Sequence, residues 1–286
     1  MKYLCCCATA LKKYVFGGVF IVAVLLVSCV TAATIVHDFY LPLPETQIRN
    51  TMTKLQTTGI GTSMFSAFSV VITAPGTILY YDQWEDGYEV NLQAPVQSTT
   101  QIWGDGNDAN GIPPGYVHDP TNFTAGTVLT LTNNLTIPRN PSTILFDGGD
   151  RLAATKAIVV SRASWANPPG TVLACAVEVP ATIDYGTKFV APVGEDVSAN
   201  SMFQYAGLFV MAGSDGTTVI IDPDGPLGAA VPVTNILNRG ESYQYNGGIK
   251  KGATVVASKG VQVHLATGNI GANYESRWFR LYPVEQ

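Results

Sequence analysis

Charged side chains are scarce in this 286-residue sequence. Lys and Arg contribute 16 residues and Asp and Glu 21, so only 13% of the chain is charged, against about 25% in an average soluble domain. The net charge is -5 and no run of basic residues is longer than two, which argues against nucleic-acid binding by charge. Because 47% of residues are apolar, a disordered chain is also excluded.

Cysteine and histidine are scarce as well. Four of the five cysteines lie within the first 29 residues, which leaves Cys175 alone in an apolar run, where a buried and inert thiol is expected. The three histidines, His37, His118 and His264, are far apart and lack metal-ligand spacing. No Gly-x-Ser-x-Gly motif is present. We therefore predict no catalytic residues and no bound cofactor.

Residues 1–33 have the pattern of a secretory signal peptide. Three lysines precede an uncharged run, Tyr14–Val30, and small residues follow up to Ala33. Cleavage there predicts a secreted or cell-surface protein. An uncleaved signal anchor is the alternative, and it would be the protein's only membrane attachment. A further alternative is a lipoprotein box with Cys29 as the acylated residue.

The rest of the chain predicts an all-β fold. Short runs of β-branched and aromatic residues alternate with Gly, Pro, Asn and Asp, as in antiparallel β-sandwiches. No segment after the signal shows a convincing helical period. Two pairs of segments also resemble each other: 154–161 resembles 257–264, and 65–82 resembles 203–222. We therefore predict two tandem Ig-like or jelly-roll-type sandwich modules, 63–185 and 186–286.

Residues 34–62 are predicted to be an extended segment followed by a polar tether. The apolar residues Ile35, Val36, Phe39, Leu41 and Leu43 form a candidate strand. This strand could pair at an edge of its own domain. Alternatively, it could complete the sheet of a neighbouring copy, with residues 45–62 as the tether.

An acidic and aromatic segment lies at 82–89. Its Glu85 and Glu89 are the candidate acid and base of a glycosidase, but Asp86-Gly87 is also typical of a tight turn. A second hypothesis uses Trp84, Trp103 and Tyr116 as an aromatic platform that binds glycans or proteins.

Two loop features complete the candidate sites. Asp105, Asn107 and Asp108 lie in a Gly-rich loop that offers oxygen ligands for calcium, although the spacing is not that of an EF-hand and such loops are also good turns. The sequons that begin at Asn122 and Asn134 predict glycosylated surface loops.

Five longer stretches resemble the N-terminal domain of IgGFc-binding protein and its microbial relatives. They are 80–89, 144–150, 192–196, 207–222 and 257–268, and the likeness extends over most of 36–283. Gly260 departs from the pattern, which has proline there. The resemblance implies a secreted module that is not an enzyme.

Taken together, these features predict a secreted structural or adhesive protein. It could assemble head-to-tail into filaments by donating its N-terminal strand, with further copies, extracellular proteins or glycans as partners. The alternatives are a lectin-like binding module and a glycosidase.

Overall fold

A computed structural model describes residues 34–56, 59–167, 175–197, 201–271 and 276–284. The predicted signal peptide and Cys29 lie outside these residues. Within them the fold is nearly all β, as predicted. No helix in these ranges has the length and apolar character needed to cross a bilayer.

The described residues form fifteen strands and one α-helix. In chain order they are β1 (His37–Tyr40), α1 (Glu45–Leu55), β2 (Ser63–Ile72), β3 (Leu79–Asp82), β4 (Gln101–Trp103), β5 (Val128–Thr136), β6 (Arg151–Ala154), β7 (Ile158–Asn167), β8 (Cys175–Val179), β9 (Gly186–Val190), β10 (Tyr205–Ala212), β11 (Thr217–Asp222), β12 (Val233–Leu237), β13 (Ser242–Tyr245), β14 (Thr254–Gly268) and β15 (Arg277–Leu281).

The first eight strands and α1 form an N-terminal lobe. Its two antiparallel sheets have the orders β1-β6-β3-β4 and β5-β2-β7-β8. Burial alternates along β2 and β7, so every second side chain points into the space between the sheets. Phe68, Tyr81 and Trp103 lie in the core that fills this space. The alternating apolar pattern in the sequence is therefore that of a sandwich.

The remaining seven strands form a C-terminal lobe around a second core. They make one seven-stranded sheet because the 15-residue strand β14 pairs with β9 and β11 in its first half and with β10 and β15 in its second half. Leu208, Ile221 and Val263 are buried in its core.

The two lobes share one strand order. If β14 is divided at its middle, the C-terminal lobe has the orders β9-β14-β11-β12 and β13-β10-β14-β15, which repeat those of the N-terminal lobe. Adding 140 to the residue numbers of β2 and β3 gives the corresponding residues of β10 and β11, and adding 103 to those of β6 and β7 gives the corresponding residues of β14. Residues that pair in the N-terminal lobe then correspond to residues that pair in the C-terminal lobe. Examples are Leu79↔Ala154 with Val219↔Ala257, and Ile72↔Ile158 with Ala212↔Val261.

The similar segments 154–161 and 257–264 have this offset of 103, and the segments 65–82 and 203–222 have the offset of 140 at their C-terminal ends. The pairings are thus those expected of two copies of one module. Duplication itself stays a prediction.

Helix α1 corrects the prediction of a polar tether. Residues 45–55 are helical, and Ile48, Met52 and Leu55 are buried at a spacing of four and three residues. That spacing places them on one face of a helix. The many polar residues between them conceal the short apolar stripe, which explains why the sequence pattern does not reveal it.

The N-terminal strand belongs to its own lobe. β1 pairs antiparallel with β6, and Phe39, Leu41 and Leu43 are fully buried, whereas Val36 is exposed. Ile35 packs beside a smaller cluster around Tyr80. In this structure the strand therefore pairs at an edge of its own domain, the first of the two alternatives.

A third apolar cluster joins the lobes. Leu43, the apolar face of α1, Cys175 and Val177 from the N-terminal lobe pack against Tyr205, Phe209, Ala266 and Trp278 from the C-terminal lobe. Hydrogen bonds link the same surfaces: Gln47 and Ser242 exchange two, and Thr51 Oγ1 lies 3.0 Å from the Tyr205 hydroxyl. The lobes are therefore held together through α1.

His264 lies fully buried on the C-terminal side of this contact. Its Nε2 is 3.0 Å from Gln262 Oε1, and its Nδ1 has no hydrogen-bond partner among the described residues. Burial lowers the pKa of His264 to about 3, and the charges of Arg280 and Arg162 act in the same direction. The imidazole is therefore neutral in the folded protein throughout the mildly acidic range.

Acidification is expected to destabilise the fold through His264. Because its pKa is lower in the folded than in the unfolded chain, protons favour unfolding between pH 6.5 and 3. Between pH 7 and pH 5, this effect should lower the unfolding free energy of the wild type by about 2 kcal/mol. His264→Gln lacks the titrating group, so its unfolding free energy should fall by about 2 kcal/mol less over the same range. Urea titrations at both values test this, with the exposed His118→Gln as control. Equal losses in wild type and His264→Gln would contradict the assignment.

Candidate functional site

A cleft opens where the two lobes meet, at the start of α1. Its volume is about 410 Å³, and the side chains that line it include Glu45, Trp84, Tyr88, Arg139, Asp147 and Arg239. They come from four separate parts of the chain. Arg239 lies just before β13, whereas the other five belong to the N-terminal lobe.

Asp150 holds together the two loops that form the N-terminal side of the cleft. Its buried carboxylate accepts hydrogen bonds from the Tyr81 hydroxyl at 2.5 Å, the Trp84 amide at 3.2 Å and the Asp147 amide at 3.0 Å. Gly149 has φ +118°, and a Cβ there would approach the Trp84 ring to 3.1 Å. The loop that begins at Asp147 must therefore turn tightly beneath Trp84.

Arg139 links two carboxylates beside the cleft. Its guanidinium is hydrogen-bonded to Asp147 and to Glu85, and it lies 5.7 Å from the centre of the Trp84 ring. Asp147 also accepts a 2.7 Å bond from Trp84 Nε1. The Asp147 and Glu85 side chains are each only 1% exposed. Asp147 accepts through both oxygens, whereas Glu85 accepts through Oε1 and its Oε2 has no hydrogen-bond partner among the described residues.

Glu45, which lines the cleft, forms a buried ion pair with Arg162. Arg162 Nη2 lies 2.6 Å from Glu45 Oε1 and 2.7 Å from the Leu43 carbonyl oxygen, and the arginine side chain is fully buried. The Gly148 amide also donates to Glu45 at 3.3 Å. The pair therefore ties the first turn of α1 to β7 and to the loop at 147–150.

Tyr88 and Gly240 bring the two lobes together at one side of the cleft. The Tyr88 hydroxyl donates to the Gly149 carbonyl at 2.6 Å. Gly240 has φ +71°, and a Cβ there would lie 1.7 Å from the Tyr88 hydroxyl oxygen. Only glycine fits this position without moving the tyrosine.

The carboxyl groups beside the cleft have raised pKa values. Burial, together with the nearby Glu45 carboxylate, raises the pKa of Asp147 to about 7, although Arg139 and Trp84 oppose the rise. Burial and the neighbouring Asp147 raise the pKa of Asp150 well above its usual range. Shifted carboxyl groups beside a cleft are typical of functional sites, although structural networks produce them too.

Trp84 is expected to report the ionisation of Asp147. Because the indole donates to this carboxylate, tryptophan fluorescence should change with a midpoint near pH 7, and Asp147→Asn should abolish that step. Because the pKa is raised in the folded protein, Asp147 contributes most to the free energy of unfolding below about pH 4, and this contribution is lost as the pH rises through 7. Asp108→Asn, at an exposed carboxylate, should keep the step. A step that persists in Asp147→Asn would refute the assignment.

The predicted aromatic platform does not form. Trp103 is fully buried in the core, stacked at 5.3 Å on Tyr81, because its strand position points between the two sheets. Tyr116 is 40% exposed but packs edge-on against Phe123. Of the three residues, Trp84 alone lines the cleft.

The predicted glycosidase pair is engaged in structural contacts. Glu89 is buried, and its carboxylate accepts hydrogen bonds from the amides of Val90, Val96 and Gln97, which lower its pKa. Glu85 Oε1 accepts from Arg139 and from the Leu145 amide at 3.1 Å. Glu89 does not line the cleft described above.

The predicted calcium loop is closed by its own hydrogen bonds. Asp105 accepts from the Asn107 amide and from Asn110, whereas Asp108 is paired with His118 and the Asp119 amide. The Asn107 side chain accepts from the Ala109 amide. No group of three or more His, Cys, Asp or Glu residues suited to a metal ion occurs in the part of the chain that the structure describes.

Cys175 and the two sequons complete the predicted positions. Cys175 is fully buried and burial raises its pKa to about 11, as expected of an inert thiol. Asn122 is exposed in a loop, but Asn134 lies on the exposed face of β5. The prediction that both sequons mark loops is thus wrong for Asn134, because polar residues also occupy the outward positions of an edge strand.

Of the six cleft residues named above, only Trp84 is predicted from the sequence as a site residue; Glu45, Tyr88, Arg139, Asp147 and Arg239 are not. One signal was present, since the segments 80–89 and 144–150, which carry the resemblance, interlock through Asp147 and Asp150. No family model, curated protein or solved structure matches this chain. The resemblance stays a prediction.

Proposed function

We propose that this protein is a secreted, non-enzymatic adhesive module that binds a glycan in the cleft between its lobes. The observation that carries the proposal is the lining of the cleft. The aromatic rings of Trp84 and Tyr88 lie there beside Arg239, Ser242 and the exposed Thr46.

This combination of groups suits a sugar. Aromatic rings provide apolar surface with a polar edge, and hydroxyl and guanidinium groups provide hydrogen bonds that fix a ligand's orientation. A volume of about 410 Å³ falls at the small end of the range for ligand sites. A mono- or disaccharide unit of a longer glycan is therefore the class of ligand we propose.

Binding has more support than catalysis because each nearby carboxylate already has a protein partner, and Glu85 Oε2, which has none among the described residues, is buried. Asp147 accepts from Trp84 and Arg139, Glu85 from Arg139, and Glu45 from Arg162. A glycosidase needs one carboxyl group as acid and another as base or nucleophile, both directed at the glycosidic bond. The hydrolase alternative with Glu85 and Glu89 has correspondingly little support.

Secretion rests on the sequence. The signal-like segment 1–33 is the main argument, and the exposed Asn122 and Asn134 are compatible with glycosylation during export. Strand donation to a neighbouring copy has less support than self-pairing. Phe39, Leu41 and Leu43 are buried in the chain's own cores, so withdrawal of this segment would expose them.

A pair of matched helix variants tests the cleft. Thr46 is exposed on α1 and lines the cleft, whereas Thr53 is exposed on the same helix and does not. On a glycan array, Thr46→Trp should fill the cleft and weaken binding at least tenfold, and Thr53→Trp should bind like the wild type. Equal binding by both variants would place the glycan elsewhere, and an array without signal for the wild type would refute the proposal.

A further inference from the structure

One face of the N-terminal lobe lacks the cover that its counterpart has. The outer face of sheet β5-β2-β7-β8, defined here by Phe65, Ala67, Ser69, Ala163, Trp165 and Ala176, points away from the core and is at least partly exposed. By the strand pairings of the two lobes, this face corresponds to the face of the C-terminal lobe that carries Tyr205, Phe209, Ala266 and Trp278. That second face, called here the covered face, is buried against the N-terminal lobe.

The C-terminal lobe has an uncovered end of its own. A groove of about 380 Å³, called here the open end, is lined by Val190, Val193, Phe203, Phe279 and Tyr282. Phe279 is 42% exposed and Tyr282 68%. In the N-terminal lobe, the positions that correspond to Val193 and Phe279 are Leu43 and Val177. Both contribute to the apolar cluster against which the C-terminal lobe packs, and this end of the N-terminal lobe is called here the receiving end.

At several corresponding positions, the uncovered surfaces differ in side-chain size from the surfaces that meet within the chain. Where the covered face has the large residues Phe209 and Trp278, the outer face has the small residues Ser69 and Ala176. Where the receiving end has Leu43 and Val177, the open end has the smaller Val193 and the larger Phe279. The outer face has one larger residue, Trp165 in place of Gly268. Gly268 lies against Leu55 of α1, so Trp165 would lie where α1 packs in the contact within the chain.

The charges are compatible with the same arrangement. Within the chain, Arg280 Nη1 lies 3.2 Å from Glu178 Oε1, and these two residues occupy corresponding positions in the two lobes. If a second copy packs on the open end as the C-terminal lobe packs on the N-terminal lobe, its own Glu178 lies near the Arg280 at the open end. The pair would therefore again have opposite charges.

We propose that the open end of one molecule binds the outer face of a second copy of this chain, in the geometry that joins its own two lobes. The contacting surfaces are unlike, so each molecule keeps one of them free and association continues head to tail. The inference does not depend on a glycan in the cleft or on donation of β1. Asn134 lies beside Phe65 on the outer face, so a glycan attached there would cap the array.

The test uses the exported chain produced without N-glycosylation, in sedimentation velocity over a range of concentrations. Ala176→Arg blocks the outer face and Phe279→Arg blocks the open end, while Ile236→Arg, exposed on β12 outside both surfaces, is the control. We expect wild type and Ile236→Arg to form longer species as concentration rises. Each blocked variant should remain a single copy at concentrations at least tenfold higher.

Mixing the two blocked variants provides the decisive result. Each keeps one intact surface, so the mixture should form a species of twice the single-copy mass and nothing longer, which also shows that both variants are folded. A wild type that stays single up to its solubility limit would overturn the proposal. Blocked variants that assemble like the wild type, or a mixture that stays single, would overturn it equally.

Discussion

Replacing Arg162 by methionine is expected to cost about 3–5 kcal/mol of unfolding free energy, because it leaves the Glu45 carboxylate buried without its cation. Arg162 is fully buried, bonds Glu45, Leu43 and Ser66, and lies 4.6 Å above the Phe68 ring. The substitution therefore removes the link between the first turn of α1 and β7. Urea unfolding followed by circular dichroism measures the loss.

Two controls separate the buried pair from a general effect of removing an arginine. Arg239→Met breaks a largely exposed pair with Asp215 and should cost less than about 1 kcal/mol. Arg162→Met combined with Glu45→Gln should recover part of the loss, since the second change removes the unpaired charge. A cost for Arg162→Met as small as that for Arg239→Met would contradict the assigned role.

The second large effect is expected at Gly240. Alanine there would place Cβ within 1.7 Å of the Tyr88 hydroxyl oxygen and would have to adopt φ +71°. Tyr88 would have to leave its hydrogen bond to Gly149, and the contact between the lobes beside the cleft would open. We expect a loss of about 2–3 kcal/mol in unfolding free energy and at least tenfold weaker glycan binding.

Gly216→Ala is the matched control for this substitution. Gly216 has φ +62°, but no atom lies within 4 Å of the point that a Cβ would occupy, so alanine there has only the conformational cost, about 1 kcal/mol. If Gly240→Ala cost no more than Gly216→Ala, the close approach of Tyr88 to Gly240 would be refuted.

Much of the fold could be predicted from the sequence because strands record burial in every second residue. The similarity of 154–161 to 257–264 also anticipates the corresponding positions of β6 and β7 and of β14. Helix α1 escaped prediction because only Ile48, Met52 and Leu55 mark its buried face. A three-residue stripe within a polar segment is too short to stand out as a period.

The cleft could not be predicted because it is formed by distant segments. Thr46, Trp84, Asp147 and Arg239 meet only after the lobes pack through α1. The same applies to Trp103, whose burial depends on which sheet face is covered, and to Glu89, whose carboxylate binds the loop that follows it. Residue type alone does not distinguish an exposed aromatic or acidic group from a buried one.

The most direct measurement is to recover a glycan after prolonged contact with the protein and determine its mass. The wild type should retain an oligosaccharide that Thr46→Trp does not retain, and the recovered sugar should have an unchanged mass. Shortened products formed by the wild type and not by Glu85→Gln would show that the protein is a hydrolase. Equal retention by wild type and Thr46→Trp would show that the cleft is not where the glycan binds.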